Sequence, residues 1–557
     1  MTNWSGEFAK WAPSIKMIAY KGNPTQRRAL QGELYRPHPS EFKGPSPFVS
    51  HPPSSSRMGI RDLWEIVAPS RQIVSLDTLA CQHFVETGRF FKIGVDISQW
   101  FSQFQTGLRS KHIRSHAQLG QNPELRNMFL RISRLSRLPV ILLAVFDGPN
   151  RPRYKRNKSV RTIPHWMSSR TADILQAFGH HVITAPGEAE AELSRLNQLG
   201  DIDAVLTDDS DALVFGARKI IRNATDKKHP NIVAVYDASD FPSQATTPIM
   251  PNGLLLFAIL QGGDYSAGVS HCGKKTAHAL TNTSLGSMLR FASEDYNSSE
   301  LRNYLDEYWT PLLKHHLKDD PDSFIHGKRP KAASSIPAGF PDVDTVRHYV
   351  SPVVSSGVFP WILDTINDVN LPRLGMLSDQ LFAWGLDGII MDKFQKSVWP
   401  AVCLRKLAKG QSDHVIGLSD VKESLSSGIL IHVTFDIVWL FSLTTASLPD
   451  TPAVHNQTTL KLWVPARLID ANSPLVDQLL DEYTQMAQTV SVMRKIHLLD
   501  SAYGVFSTST SEGAQGGDVT DNHIVHNCDS DIVDLTGDDD VADVEELPFI
   551  DLTLDDD

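Results

Sequence analysis

The sequence predicts an α/β fold in which a parallel, doubly wound sheet forms the core of the main domain. Four apolar segments of strand length alternate with segments of helical periodicity, which is the pattern of such a sheet. They are FKIGVDIS around Asp96, LPVILLAVFDG around Asp147, HHVITA before Pro186 and DAVLTDD after Ile202. The longest strongly apolar run, residues 138–146, is far shorter than the roughly 18 residues needed to cross a bilayer, so no membrane insertion is predicted.

The composition indicates a large chain with a basic body and an acidic end. The chain has 557 residues, of which 41% are hydrophobic, and a formal net charge of −11. Residues 508–557 contain 16 Asp and Glu and no Lys or Arg, so the rest of the chain carries +5. A mildly basic body is compatible with nucleic-acid binding. The four cysteines form no CxxC pair, which argues against a zinc site and a disulfide framework.

Residues 1–57 are predicted to be a disordered extension. They lack hydrophobic periodicity and end in a segment rich in Pro and Ser, GPSPFVSHPPSSSR. A main domain then opens with MGIRDLWEIV at Met58. We expect translation to begin at Met58, so that residues 1–57 are not made; removal of this segment or a tolerated appendage are the alternatives.

Beyond the predicted sheet, the pattern changes to helices and then to a smaller unit. The main domain is predicted to span residues 58–370, with a loop at HGKRPKAASSIPAGFPD in its helical half. Residues 380–485 predict a separate β+α unit, because ILIHVTFDIVWL and LKLWVPARLI have strand-like apolar content and SPLVDQLLDEY has the spacing of a helix face. Residues 486–557 are predicted to be a disordered acidic tail.

Seven acidic residues lie where open α/β sheets place their ligands, mostly at strand ends or helix starts. These residues are Asp96, Asp147, Glu188, Glu190, Asp209, Asp211 and Asp264. If the fold gathers them, their mutual repulsion requires divalent cations. Oxygen ligands without nearby His or Cys select Mg²⁺ or Mn²⁺ over zinc, and two such ions about 3.5 to 4 Å apart support phosphodiester hydrolysis. The set therefore predicts two Mg²⁺ ions, for which Mn²⁺ can substitute.

Each acid has a structural alternative when it is considered alone. Glu188 and Glu190 begin a helix and could merely complement its N-terminus. Asp147 precedes a glycine and could be a turn residue. The joint pattern of seven acids is what favours a metal site.

Six motifs, in chain order MGIRDLW, VDIS, FDGP, APGEAEAE, TDDSDALVFG and GGDYSAGV, resemble those of the XPG and flap endonuclease superfamily of structure-specific nucleases. The resemblance covers about residues 58–370 and implies a PIN-like (resolvase-like) nuclease core whose metal-site acids are the seven named above. It also implies that the glycine of MGI lies close to the active site. Asp208 and Glu192 neighbour the site but match no ligand position.

The resemblance is greatest to the Holliday-junction resolvase branch. The segment between Asp147 and Glu188 is short, which leaves little room for the long helical arch that threads flaps. The unit at residues 380–485 is similar to the chromodomain that follows the nuclease in that branch. Its four tryptophans would form either a methyl-lysine cage or a core, and we expect a core. They are Trp384, Trp399, Trp439 and Trp463.

Two segments are predicted to contact the phosphates of DNA. The first is a basic run without acids, for which a solvated loop is the alternative. Its residues are Arg151, Arg153, Lys155, Arg156, Lys158 and Arg161. The second, GVSHCGKKTAHAL, resembles the superfamily's helix-two-turn-helix, although His271 stands where the family usually has a glycine. Its expected DNA contacts are Gly268, Gly273, Lys274 and Lys275.

The predicted function is a Mg²⁺-dependent, structure-selective endonuclease that resolves Holliday junctions by paired symmetric nicks. The alternatives are a 5′ flap or excision-repair endonuclease and a non-catalytic scaffold that binds branched DNA and SUMO. We expect a monomer when free, a dimer on branched double-stranded DNA, and a nuclear location with a cytoplasmic pool left open. Ile532 to Leu535 and Phe549 to Leu552 resemble SUMO-interacting motifs, with a solubilising tail as the alternative.

Overall fold

A computed structural model describes residues 59–110, 121–155, 158–160, 164–223, 231–243, 248–357, 365–384, 389–424, 428–446, 448 and 457–504. The predictions for residues 1–57, for Arg156 and Arg161 and for the two apolar islands of the tail fall outside these residues. None of the described helices is long and apolar enough to cross a membrane.

A mostly parallel sheet forms the centre of the main domain. The strands of this domain are β1 (Gln72–Ser75), β2 (Phe91–Asp96), β3 (Val140–Phe146), β4 (Tyr154–Lys155), β5 (Lys158–Ser159), β6 (His181–Thr184), β7 (Ala204–Leu206), β8 (Lys219–Asn223) and β9 (Ile232–Asp237). In the described chain, seven of them form one sheet in the order β1-β9-β8-β7-β2-β3-β6, and β4 and β5 form a hairpin. The pairs from β6 through β8 are parallel, whereas β9 and β1 add an antiparallel edge. The predicted parallel α/β sheet is confirmed.

Helices cover both faces of this sheet and continue beyond it. They are α1 (Leu63–Val67), α2 (Leu76–Thr87), α3 (Ile97–Ser110), α4 (Pro123–Ser136), α5 (Ser168–Ala177), α6 (Ala189–Leu199), α7 (Asp211–Val214), α8 (Gly253–Gln261), α9 (Lys274–Leu280), α10 (Leu285–Asp295), α11 (Ser298–Tyr304), α12 (Thr310–Asp319), α13 (Pro330–Ser335) and α14 (Val343–Val350). Burial on both faces explains why β3 is apolar along its whole length and why all of β2 is buried, including Lys92 and Asp96. On α3, Trp100, Phe101 and Phe104 are buried in the core.

The helical half differs from prediction at one segment. The stretch expected to be a loop, HGKRPKAASSIPAGFPD, contains α13. Its Pro330 stands at the start of the helix, where the missing N–H costs no hydrogen bond, and Ala332 and Ala333 are buried. A single short helical turn of small residues gives too little periodicity to be recognised among Pro, Gly and Ser.

The C-terminal unit contains a three-stranded antiparallel sheet in the order β10-β11-β12. Its elements are α15 (Leu371–Phe382), α16 (Ile389–Ser397), α17 (Trp399–Ala408), β10 (Val415–Ser424), β11 (Gly428–Asp436), α18 (Val438–Thr445), β12 (Thr459–Pro465), α19 (Pro474–Gln485) and α20 (Val490–Tyr503). The predicted β+α composition is confirmed, but the last residues of ILIHVTFDIVWL begin α18 and are not strand. Trp384 and Trp399 are core residues, whereas Trp439 and Trp463 are partly exposed.

Two features of this unit differ from the predicted boundaries. The acidic tail does not begin at residue 486, because α20 continues the fold and buries Leu498 and Leu499. The unit also shares one buried core with the main sheet, in which Phe90 and Phe129 join Trp399 and Val421. Its packing is therefore continuous with the nuclease-like domain.

Candidate metal centre

The seven predicted acids converge at the carboxyl edge of the parallel strands. By element they are Asp96 at the end of β2, Asp147 after β3, Glu188 and Glu190 at the start of α6, Asp209 and Asp211 at the start of α7, and Asp264 after α8. β2 pairs in parallel with both β3 and β7, so the segments that follow these strands emerge side by side. The structure thus brings together acids that lie up to 168 residues apart in the sequence.

Hydrogen bonds fix Asp96 and Asp147 next to each other. Ser98 Oγ donates to Asp147 Oδ2 at 3.1 Å, and the backbone N–H of Ser98 donates to Asp96 Oδ1 at 2.8 Å. The backbone N–H of Ala189 donates to Asp147 Oδ1 at 3.0 Å. These bonds tie the ends of β2 and β3 to the start of α6. The Asp147 carboxylate is therefore oriented by two elements of the fold.

Two basic side chains of the predicted DNA-binding run lie inside the acidic cluster. The Nζ atom of Lys155 forms an ion pair with Glu188 and lies 3.5 Å from Asp264 Oδ2. Arg151 donates to Asp147 Oδ2 at 2.7 Å. The β4–β5 hairpin, which carries Lys155, therefore lies over the acids. Lys155 connects Glu188 of the α6 start to Asp264, which follows α8.

Burial and mutual repulsion control the ionisation of the acids. Burial, with a contribution from Asp147, raises the pKa of Asp96 to about 7. Burial also raises the pKa of Glu190 and that of Asp211 well above their usual range, and Asp209 adds to the effect on Asp211. A carboxyl group with a raised pKa loses its proton when a bound cation stabilises the charged carboxylate.

The donor set fits a hard divalent cation. All seven predicted ligands offer oxygen, and Asp211 Oδ1 is buried without a hydrogen-bond partner among the described residues. No three His, Cys, Asp or Glu side chains of the described chain already form a closed group around one point. The ammonium of Lys155 lies between Glu188 and Asp264.

Two acids that match no ligand position have structural partners instead. Asp208 accepts a hydrogen bond from Gln103 at 3.0 Å and pairs with Arg222 at 3.4 Å, which joins α3 to β8. Glu192 is fully buried and accepts a hydrogen bond from the backbone N–H of Ser355 at 2.7 Å. Both side chains are therefore engaged in contacts within the fold.

Gly59 and Tyr265 also belong to the site. Gly59 has a φ of +80°, and a Cβ there would lie 2.4 Å from Asp209 Oδ1 and 2.8 Å from the backbone N of Ser210. Only glycine tolerates this close approach and this backbone conformation without strain. The hydroxyl of Tyr265 donates a hydrogen bond to Glu188. Nothing in the residue pattern marked Tyr265 beyond its position next to Asp264.

The helix-two-turn-helix segment connects α8 to α9. Gly268 has a φ of +76°, and His271 adopts a φ of +63° where the family usually has a glycine. Gly273 is the N-cap residue of α9, and its carbonyl accepts the first hydrogen bonds of the helix, from the backbone N–H groups of Thr276 and Ala277. Lys274 forms an ion pair with Glu65 of α1, and Lys275 is exposed. In the basic run, Arg153 is exposed and Lys158 lies in β5.

A mostly parallel α/β sheet with buried acids gathered at its carboxyl edge defines the PIN-like class of folds. Residues 58–163 match the XPG N-terminal domain, and residues 179–264 match the XPG I-region. The chain therefore contains the two conserved regions of the XPG nucleases.

Relatives and solved structures agree with this assignment. The proteins named flap endonuclease GEN homolog 1 from Mus musculus and Homo sapiens are each 30% identical, over 251 and 277 residues. These matches cover 42% and 46% of this chain but only 26% and 29% of the relatives. The crystal structure of the Holliday junction-resolving enzyme GEN1 with product DNA and Mg²⁺ has a TM-score of 0.61 and 25% identity, covering 77% of this chain and 100% of that chain. A potassium-bound structure of the eukaryotic junction-resolving enzyme GEN-1 has a TM-score of 0.62 and 26% identity over the same shares.

Proposed function

We propose that the chain is a Mg²⁺-dependent, structure-selective endonuclease that hydrolyses phosphodiesters in branched DNA. The observation that carries this proposal is the convergence of seven acids from separate elements into one buried cluster with oxygen donors only. Such a cluster is costly to a metal-free fold, and two neighbouring hard cations would neutralise it.

The seven acids are the proposed ligands of two Mg²⁺ ions, which when bound would orient and deprotonate a water and stabilise the leaving oxygen. Ser98 and Ala189 hold Asp147 in place for this purpose. Lys155 is within reach of both the acids and an incoming phosphate, because it lies at the hairpin over the cluster. We propose that its ammonium passes from Glu188 to the phosphate when DNA binds.

Duplex arms would be held by their backbones and shape, with little preference for sequence. The N-terminus of α9, with Gly268, Gly273, Lys274 and Lys275, is proposed to contact one arm. The rest of the basic run would contact phosphates flanking the cut. Residues 58–370 are proposed to form the nuclease, and the C-terminal unit, which includes α20, to add a chromodomain-like contact to DNA.

A four-way junction is the proposed substrate. The solved enzymes named as junction-resolving match this chain over 100% of their own length. The described part of the stretch between Asp147 and Glu188 contains only a short hairpin, the helix α5 and the sheet strand β6. Two opposed cuts require two copies, so we propose a dimer on DNA and a monomer when free. Because the relatives in mouse and human are named flap endonucleases, a 5′ flap is the second candidate substrate.

The remaining proposals concern segments outside the described residues. They are translation from Met58 and SUMO binding through the two apolar islands. A nuclear location, with a cytoplasmic pool left open, extends the same hypothesis. A scaffold that binds branched DNA and SUMO without cutting is the alternative from another class. Equal inactivity of the wild type and Asp96→Ala toward every substrate would support the scaffold.

The test compares cleavage of a four-way junction, a 5′ flap and a bubble by the full chain, with and without Mg²⁺. We expect paired nicks in the junction, dependence on Mg²⁺, and a loss of about 1000-fold or more in Asp209→Asn, because removing one ligand costs several kcal/mol of transition-state stabilisation. Asp237→Asn, which changes a partly exposed acid at the end of β9, is the matched control and should cut normally. A junction left intact under conditions that cleave a 5′ flap would favour the second candidate.

Gly59 provides an independent test of the site. Gly59→Ala should lower cleavage by about tenfold or more, because the added Cβ collides with Asp209 and the backbone of Ser210. Gly88→Ala is the control, since Gly88 has a similar φ of +71° but nothing within 4 Å of the added Cβ. Both variants carry a backbone strain of about 1 to 2 kcal/mol, so both should melt earlier. Equal cleavage rates in the two variants would argue against a close role for Gly59.

A further inference from the structure

Tyr349 places a hydroxyl group deep in the protein without a partner. It lies near the end of α14, is 3% exposed, and packs its ring 5.1 Å from that of Tyr265 and 5.8 Å from that of Phe215. Its hydroxyl makes no hydrogen bond to any described residue. A buried hydroxyl without a partner costs about 1 to 3 kcal/mol, so its presence calls for a physical explanation.

The hydroxyl of Tyr349 is directed toward the acidic cluster. A Cβ on Gly263, the residue before Asp264, would lie 3.0 Å from the hydroxyl oxygen. Burial raises the pKa of Tyr349 well above its usual range, and the charges that add to the effect are those of cluster acids, with Asp211 first and Asp264 second. The hydroxyl therefore remains protonated and can act as a donor.

An acceptor without a partner lies in the same neighbourhood. Asp211 Oδ1 is buried and accepts no hydrogen bond from any described residue. Tyr265, the other tyrosine beside the cluster, already donates to Glu188. The hydroxyl of Tyr265 is therefore already used, whereas that of Tyr349 has no partner among the described residues.

We propose that Tyr349 is a positioning residue of the metal centre, and that its hydroxyl donates a hydrogen bond to Asp211, directly or through one water. The bond would hold the Asp211 carboxylate so that its other oxygen faces the cation. This inference rests on the proposed function, in which Asp211 is a metal ligand. Partners that orient a ligating carboxylate change metal affinity by about 10- to 100-fold.

Tyr349→Phe tests this proposal because it removes the hydroxyl and keeps the ring. The full chain is titrated with Mg²⁺ in the absence of DNA, and the melting temperature is followed to find the midpoint concentration of stabilisation. We expect the midpoint to rise about tenfold or more in Tyr349→Phe, with a metal-free melting temperature equal to or above that of the wild type. Cleavage should be slow at limiting Mg²⁺ and recover toward the wild-type rate at saturating Mg²⁺.

Tyr236→Phe is the matched control, because Tyr236 is a buried tyrosine of β9 and its ring packs on Trp64. Its Mg²⁺ midpoint should equal that of the wild type. The proposed hydrogen bond would be refuted if the Mg²⁺ midpoint of Tyr349→Phe lies within twofold of the wild type while that of Asp211→Asn shifts strongly. That result would not contradict the proposed nuclease function. Normal Mg²⁺ response and cleavage in Asp211→Asn would show that Asp211 is not a ligand and would overturn this inference at its premise. Absence of Mg²⁺-dependent cleavage by the wild type on every branched substrate would instead overturn the proposed function.

Discussion

Asp211→Asn is expected to abolish cleavage and, at the same time, to stabilise the metal-free protein. The loss of a proposed ligand should reduce the cleavage rate by about 1000-fold or more, equivalent to about 4 kcal/mol. The gain in stability follows because Asp211 is buried and repelled by Asp209, so an amide of the same shape fits the metal-free site better than a charge. A rise in melting temperature of about 1 to 3 °C would show that lost activity does not reflect misfolding.

The pH dependence of this stability gain has a definite sign. Because the folded state raises the pKa of Asp211 above the unfolded value of about 4, the folded protein keeps a proton that the unfolded chain has released. The contribution of Asp211 to the free energy of unfolding therefore falls as the pH rises above about 4. Asparagine does not titrate, so the variant does not lose this contribution. Melting curves without metal should show little difference between variant and wild type near pH 4 and the greatest difference near pH 8. A gain that is independent of pH would contradict this account.

At saturating Mg²⁺, the wild type should be more stable than Asp211→Asn. In the wild type a bound cation would neutralise the acids and stabilise the fold, whereas Asp211→Asn has lost a proposed ligand and should respond less. Melting at pH 8 with and without Mg²⁺ measures both effects in one experiment. If Mg²⁺ stabilises the variant as much as the wild type, Asp211 is not a ligand.

The sequence predicted the sheet and the acids because both depend on local patterns. An apolar run followed by an acid, as at Asp96 and Asp147, gives the strand and the position of its end together. Parallel strands then bring those ends to one edge, whatever the length of chain between them. The family motifs supplied the remaining assignment, including the glycine that lies against Asp209.

The partners of the acids could not be predicted in the same way. Tyr349 lies 138 residues after Asp211, on a helix whose pattern marks only a buried face. Lys155 belongs to a basic run, and charge patterning does not distinguish a side chain that faces DNA from one that turns back onto acids. Likewise, the sequence did not predict α20, because only Leu498 and Leu499 are deeply buried on this helix and its apolar face is short. Such features depend on tertiary packing and not on local spacing.

Lys155→Met is expected to bind Mg²⁺ more tightly and yet to cut DNA more slowly. Burial alone would lower the pKa of Lys155, but the attraction of Glu190, Glu188 and Asp264 outweighs burial and raises it, so the side chain stays charged. This ammonium neutralises the acids in the metal-free protein. Without it, the metal-free melting temperature should fall, since buried acids lose their counter-charge.

Competition between the ammonium and the cation decides the direction of the Mg²⁺ effect. Because Lys155 lies between Glu188 and Asp264, its removal should lower the Mg²⁺ midpoint of thermal stabilisation measured without DNA. Cleavage should nevertheless fall by about 100-fold, since the phosphate loses a charged donor near the reacting atoms. Lys219→Met, which removes a lysine paired at 3.6 Å with Asp237 away from the cluster, should change neither quantity. A higher Mg²⁺ midpoint in Lys155→Met would instead mean that Lys155 orders the carboxylates for the cation and does not compete with it.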